Sequence, residues 1–181
     1  MKANANEIAR ALDAARGDIR FFLLYGPDEA GSAALARRLE RAVGADAERI
    51  DLEGSVLKSD PARLADEAAS ISLFGGKRWI RIQPAGDEIT VAVQGLLEAA
   101  TAGNPVVAVA GALRATSSLV KLATDSKLAM AHPSYVPDVG DAAKIAETLG
   151  RDAGLRLPRD VARAIATACG NDRAVMAQEI E

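Results

Sequence analysis

Phe21-Phe22-Leu23-Leu24-Tyr25-Gly26-Pro27-Asp28-Glu29-Ala30-Gly31-Ser32 is an apolar run that empties into a glycine-bounded loop. A short run without polar alternation suits a strand buried on both faces, as the strands of parallel sheets are. The segment from Ala33 to Val43 then carries a strong helix signal. Strand, glycine loop and helix in that order open a βαβ unit.

Working outward, the same alternation recurs. Upstream, residues 6–16 read as a helix with Ile8, Leu12 and Ala15 on one stripe. Downstream, Arg49-Ile50-Asp51-Leu52 is a second strand, and Pro61 to Ala69 a helix with proline near its start. Arg78-Trp79-Ile80-Arg81-Ile82 is a third strand, stopped by Pro84 and Gly86. Glu88 to Ala100 reads as helix, Pro105 to Ala110 as strand, Thr116 to Thr124 as helix, and Leu128 to His132 as a weaker strand. Such alternation implies an α/β fold, a parallel sheet with helices on both faces. After Pro137 the strand signals stop. Asp141 to Ala153, Pro158 to Cys169 and Asp172 to Glu181 read as three helices, punctuated by Gly154 and Gly170. The expected division is an α/β domain over residues 1–137 and a small three-helix domain over 138–181, which ends on an uncapped helix and so reads as truncated.

Composition narrows the function classes. With 3% aromatic residues the core must be built from Ala, Leu, Val and Ile. A formal charge of -3 argues against a protein that coats DNA, so DNA contact is expected to be indirect or weak. Cys169 and His132 are the only cysteine and histidine, which excludes a disulfide framework, a cysteine zinc cluster and a hydrolase triad. The Met1-Lys2-Ala3-Asn4-Ala5-Asn6 opening has no apolar signal core, and no run approaches the roughly 18 apolar residues of a membrane span. A cytoplasmic protein is expected.

The loop from Gly26 to Gly31 fits the start of the phosphate-binding pattern G-x-x-x-x-G-K-[ST] and stands between strand and helix, where that pattern belongs. Ser32, however, occupies the lysine position and Ala33 the position of the metal-binding hydroxyl. Asp28 and Glu29 add negative charge where a polyphosphate would sit. Asp28 can instead cap the following helix, and Glu29 can favour its dipole. No strand delivers a carboxylate pair at its tip either. Gln83-Pro84-Ala85-Gly86 intervenes before Asp87-Glu88, and Ala110-Gly111-Ala112 follows Val109. The loop is a degenerate P-loop, and no cofactor, metal or intrinsic activity is expected.

Ile71-Ser72-Leu73-Phe74-Gly75-Gly76-Lys77-Arg78 places two bulky apolar residues before a glycine pair, between a predicted helix and the third strand. Glycines permit sharp turns that leave neighbouring side chains standing out. Leu73 and Phe74 either tuck back as a plug at the helix end or present themselves to a partner. Lys77, Arg78 and Arg81 are basic neighbours, equally suited to a solvated strand face.

A degenerate P-loop, then Ser-Leu-Phe-Gly leading into the third strand, then a three-helix module, resembles the delta-subunit family of the clamp loader of bacterial DNA polymerase III. The resemblance implies an AAA+-like domain followed by a lid domain, in a non-catalytic subunit of a DNA-directed DNA polymerase complex. It implies that Leu73 and Phe74 form a hydrophobic wedge that enters the beta sliding clamp, with Ser72 and Gly75 shaping its presentation and Lys77 and Arg78 meeting the clamp rim. The resemblance puts Arg173, after Gly170-Asn171-Asp172, where ATP-using relatives keep a phosphate-sensing arginine, and an ion-pair partner on the helix surface is an equal reading of it. The resemblance leads to the expectation that the family's C-terminal collar domain is missing, which would impair assembly with the other loader subunits. Two alternatives stay open: an atypical P-loop NTPase, and an AAA+-like adaptor for another partner, in which Leu73 and Phe74 would be core residues.

Overall fold

A computed structural model describes residues 1–15, 17–72 and 75–180. The chain divides into two compact units, Met1–Ser134 and Tyr135–Glu181.

In the first unit five strands form one parallel sheet. They are β1 (Phe21–Tyr25), β2 (Glu48–Leu52), β3 (Arg78–Ala85), β4 (Val106–Ala110) and β5 (Ala129–Pro133), in the spatial order β2-β3-β4-β1-β5. The two most apolar runs take the middle. β1 and β4 pair in register from Phe21 with Val106 to Tyr25 with Ala110, and every residue of both is buried. Alternate residues feed two cores on opposite faces of the sheet. Phe21, Leu23, Ile80, Ile82, Val106 and Ala108 pack with helical residues such as Leu57, Leu64, Leu96 and Leu119. Phe22, Leu24, Trp79, Val107 and Val109 pack with Ile8, Leu12 and Leu39.

The helices of this unit are α1 (Ala5–Asp13), α2 (Glu29–Val43), α3 (Gly54–Ser59), α4 (Ala62–Ala69), α5 (Thr90–Glu98) and α6 (Ser118–Asp125). α1 and α2 cover one face and α3 to α6 the other. β2 is an edge strand whose outward residues are charged. Arg49 bonds Glu40 and Asp51, and Arg81 of β3 bonds Asp51 at 2.7 Å. Charge of this kind hinders another chain from pairing onto the edge.

The structure departs from the sequence expectations in four places. α1 stops at Asp13, so Ala15 lies beyond the helix at a φ of +42°. α2 begins at Glu29, not Ala33, because the Asp28 carboxylate caps its first turn. α3 was not expected at all. β3 continues through Pro84 to Ala85, because its register with β4 shifts between Ile82 and Ala85 and proline is tolerated at such an irregularity.

The second unit consists of α7 (Val139–Asp152), α8 (Arg159–Ala168) and α9 (Arg173–Ile180). Its core is made of small residues, Ala142, Ala146, Ala162 and Ala166, closed by Met176 and Ile180. Gly150 belongs to this packing: a Cβ there would lie 2.7 Å from the Leu157 side chain. Among the described residues, no helix is long and apolar enough to cross a membrane.

Candidate functional site

The glycine loop leaves the C-terminal end of β1, as a phosphate-binding loop must, but the protein itself occupies several of its donors. Gly26, at a φ of +130°, donates its N–H to Gly111 O at 3.0 Å. Asp28 N–H donates to Ser134 O at 3.2 Å, and Gly31 N–H to the Asp28 carboxylate at 2.8 Å. Ser32, fully buried at the lysine position, donates its hydroxyl to Ser134 Oγ at 2.8 Å. The backbone after β5 also presses on the loop, since a Cβ on Gly26 would fall 2.2 Å from Ser134 O. Helix N-termini attract anions, and the one at the start of α2 already holds the Asp28 carboxylate.

The acidic pair after β3 is likewise committed. Asp87 reaches the first turn of α6, accepting from Leu119 N–H and the Ser118 hydroxyl at 3.0 Å each and from the Ser117 hydroxyl. The Leu119 N–H, followed by the Ser117 hydroxyl, holds its carboxyl below the ordinary carboxylate range. Among the described residues, no group of three or more His, Cys, Asp or Glu is placed to hold a metal ion. Arg173 is the first residue of α9, where the Asp172 carboxylate caps the helix by accepting from Ala174 and Val175 N–H.

The second candidate site spans residues 70–78. Leu73 and Phe74 lie outside the described residues, but the chain around them is defined. Ser70 ends α4, its hydroxyl donating to Glu67 O at 2.8 Å. Ile71 follows at 88% exposure, the most exposed of the large apolar residues described. Gly75, at a φ of +72°, donates its N–H to Ser72 O at 3.2 Å, which ties together the residues that flank positions 73 and 74. Lys77 is exposed, and its carbonyl accepts from Glu48 N–H at 2.9 Å.

Arg78 turns inward. Its side chain is 14% exposed, and Nε donates to Glu48 Oε2 at 2.9 Å, Nη2 to Glu67 Oε2 at 3.5 Å and Nη1 to the Ser70 hydroxyl. From the other side Asn104 Nδ2 donates to Glu67 O at 2.9 Å and Ser70 O at 2.8 Å, while Gly103 and Asn104 N–H both reach Ala68 O. Sequence reasoning missed Asn104, Ser134 and the capping role of Asp87. The only local signal for any of them is Asn104 standing directly before Pro105, a pair typical of turns.

The two candidate sites lie at opposite ends of the strands. In a parallel sheet all strands point one way; the glycine loop follows the end of β1, whereas segment 70–77 leads into the start of β3, level with Glu48 at the start of β2. Along the strand direction they are roughly 16 Å apart.

No family model matches the chain, and no curated protein matches it in sequence. Solved structures do match in fold. The Bacillus subtilis DNA clamp loader delta protein superposes with a TM-score of 0.65 at 13% identity, covering 97% of this chain and 55% of that one. The Thermotoga maritima RuvB Holliday junction branch migration motor gives a TM-score of 0.51 at 17% identity, covering 96% of this chain and 58% of its own. The chain thus spans a little over half the length of the structures it matches. Its fold is AAA+-like, a five-stranded parallel sheet followed by a three-helix unit, similar to that of the clamp-loader delta protein.

Proposed function

We propose that this chain acts as a clamp-loader subunit of the delta type, binding and opening the beta sliding clamp through Leu73 and Phe74 and taking no part in nucleotide hydrolysis. The observation that carries the reading is the contrast between the two ends of the sheet. At one, the phosphate-binding loop is closed upon its own Asp28 and Ser134. At the other, Ile71 stands exposed beside Ser70 and Lys77, which hydrogen bonds from Arg78, Asn104 and Glu48 hold in place. The similarity in fold to the clamp loader delta protein supports the same assignment.

Clamp opening in this reading is differential binding. Full burial of Leu73 and Phe74 in a clamp pocket contributes at most about 1.5–3 kcal/mol each. Together that is roughly two to four orders of magnitude in affinity. Only the excess affinity for the open over the closed interface moves the ring; equal affinity would shift nothing. Lys77 is the exposed cation suited to meeting carboxylates on the clamp rim. ATP acts in partner subunits of the polymerase III loader, in the cytoplasm, and DNA contact through this chain is indirect.

The test is titration of this chain onto its cognate sliding clamp, wild type beside Leu73→Ala/Phe74→Ala, with circular dichroism to monitor the fold. The expected result is a loss of about a hundredfold or more in a still-folded variant. Equal binding by both proteins, or none by the folded wild type, refutes the proposal. Unfolding of the double variant places Leu73 and Phe74 in the core and favours an adaptor with another partner.

A further inference from the structure

α7 and α8 lie side by side, and α9 covers their alanine face. Along one flank the pair stays open. Gly140, Ala143, Glu147 and Arg151 recur at helical spacing on α7, and Arg159 and Arg163, four residues apart, face them from α8. Because Gly140 and Ala143 bring almost no side chain, a groove of about 350 Å³ remains between the helices. It runs on into a hollow of about 470 Å³ at the α7–α8 turn, lined by Arg151, Leu155, Arg156 and Leu157, and Glu147 borders both.

Charge is segregated here. Of the lysines and arginines in Tyr135–Glu181, only Arg173 does not line the groove or the hollow, although the unit holds more acids than bases. Lys144 bonds Asp141 at 2.8 Å, and Arg159 comes within 4.0 Å of Glu147. The exposed side chains of Arg151, Arg156 and Arg163 meet no acceptor among the described residues. Gathered like charges repel one another, and a partner of opposite charge relieves the repulsion.

We infer that this groove docks an acidic amphipathic helix of another protein. From Gly140 to Gly154 an α-helical rise spans about 20 Å, room for three to four turns of a partner helix. Leu155, at 49% exposure, and the half-buried Leu157 offer it an apolar contact, and the arginines around them form a cationic rim. An apolar centre inside a polar rim is the make-up of a protein interface, and a groove between two helices suits a third. A nucleic-acid backbone fits less well. It gains nothing from Leu155, the Glu147 carboxylate repels its phosphates, and among the described residues no aromatic side chain lines the groove for a base to stack on. The groove lies wholly within Tyr135–Glu181, so it stands or falls apart from clamp binding.

The experiment titrates the full chain with a synthetic helix of about 14 residues, leucines along one face and glutamates beside them, and maps the contact by amide chemical shifts. The controls are the same peptide with glutamine for glutamate and an oligothymidylate of equal charge. Expected is saturable binding of the acidic peptide at about 0.1 mM or tighter, weakened by salt, with the largest shifts at Ala143, Glu147, Leu155 and Arg159. The glutamine peptide should bind about tenfold more weakly, and Arg156→Glu/Arg163→Glu should weaken the acidic peptide to a similar extent. Glu147→Gln, which removes the carboxylate between the arginines, should tighten its binding about threefold. Equal affinity for the two peptides, shifts centred away from α7 and α8, or no saturation by about 1 mM overturns the inference. Tighter binding of the oligothymidylate overturns it in favour of a nucleic-acid surface. Should the arginine variant unfold, Glu147→Gln still decides.

Discussion

Reinstating the two absent members of the phosphate-binding pattern, as Ser32→Lys with Ala33→Thr, is expected to destabilise the Met1–Ser134 unit and not to create a nucleotide site. Ser32 has no solvent exposure, and its hydroxyl donates to Ser134 Oγ at 2.8 Å. Replacing it removes that bond and leaves a buried hydroxyl without its donor, at about 1–3 kcal/mol. The ammonium takes over a buried position with no carboxylate assigned to it, which adds about 2 kcal/mol or more even if the stem bends outward. A total of roughly 3–5 kcal/mol is a large part of the 5–15 kcal/mol typical of a domain. For binding, a phosphate would have to displace the Asp28 carboxylate from Gly31 N–H and break the hydrogen bonds that Gly26 and Asp28 N–H donate to Gly111 O and Ser134 O. Urea denaturation followed by circular dichroism should show the midpoint falling by about 2 M. Calorimetric titration with magnesium ATP should give no saturable heat to about 1 mM. A variant with the wild-type midpoint that binds ATP more tightly than about 1 mM would refute the claim that the loop is closed on itself.

Gly26→Ala should destabilise the same unit by about 3 kcal/mol or more, since it combines a φ of +130° with a Cβ 2.2 Å from Ser134 O. A urea midpoint equal to wild type would show that the backbone after β5 does not press on the loop. Asp87 titrates below an ordinary aspartate because Leu119 N–H and the Ser117 hydroxyl bond its charged form. Its contribution to stability is therefore fully present above the unfolded value of about 3.9 and is lost as pH falls through the lower folded value. Asp87→Asn should flatten the acid side of the stability curve; parallel curves for the two proteins between about pH 5 and pH 2 would count against the capping role.

What could be read without the structure divides along physical lines. β1 and β4 were plain because a strand buried on both faces needs an apolar residue at every position. The Asp28 cap was legible for a similar reason, its partner Gly31 being three residues away. α3 escaped notice because Gly54 opens it and Glu53 makes no capping bond; what holds it is Leu57 in the core, a tertiary contact. The course of β3 past Pro84 depends on a register shift against β4, which no local pattern encodes. The same applies to the sites. Ser32 meets Ser134 across a separation of 102 residues, Arg78 meets Glu48 across 30, and Asn104 meets Glu67 across 37. From sequence Arg78 is only a basic residue near Leu73 and Phe74, because its charge is visible there and its partners are not.

The burial of Trp79 has a spectroscopic consequence. It is the only tryptophan of the chain, is 2% exposed, and sits in the α1–α2 core of the first unit, one residue from Arg78. Its emission is thus a built-in optical channel for Met1–Ser134 alone, to which the fluorescence of the three-helix unit contributes only through Tyr135. Far-ultraviolet dichroism sums the helices of both units. Recording both signals in one denaturation separates the two unfolding transitions without a label, and coincident curves would mean that the units melt together.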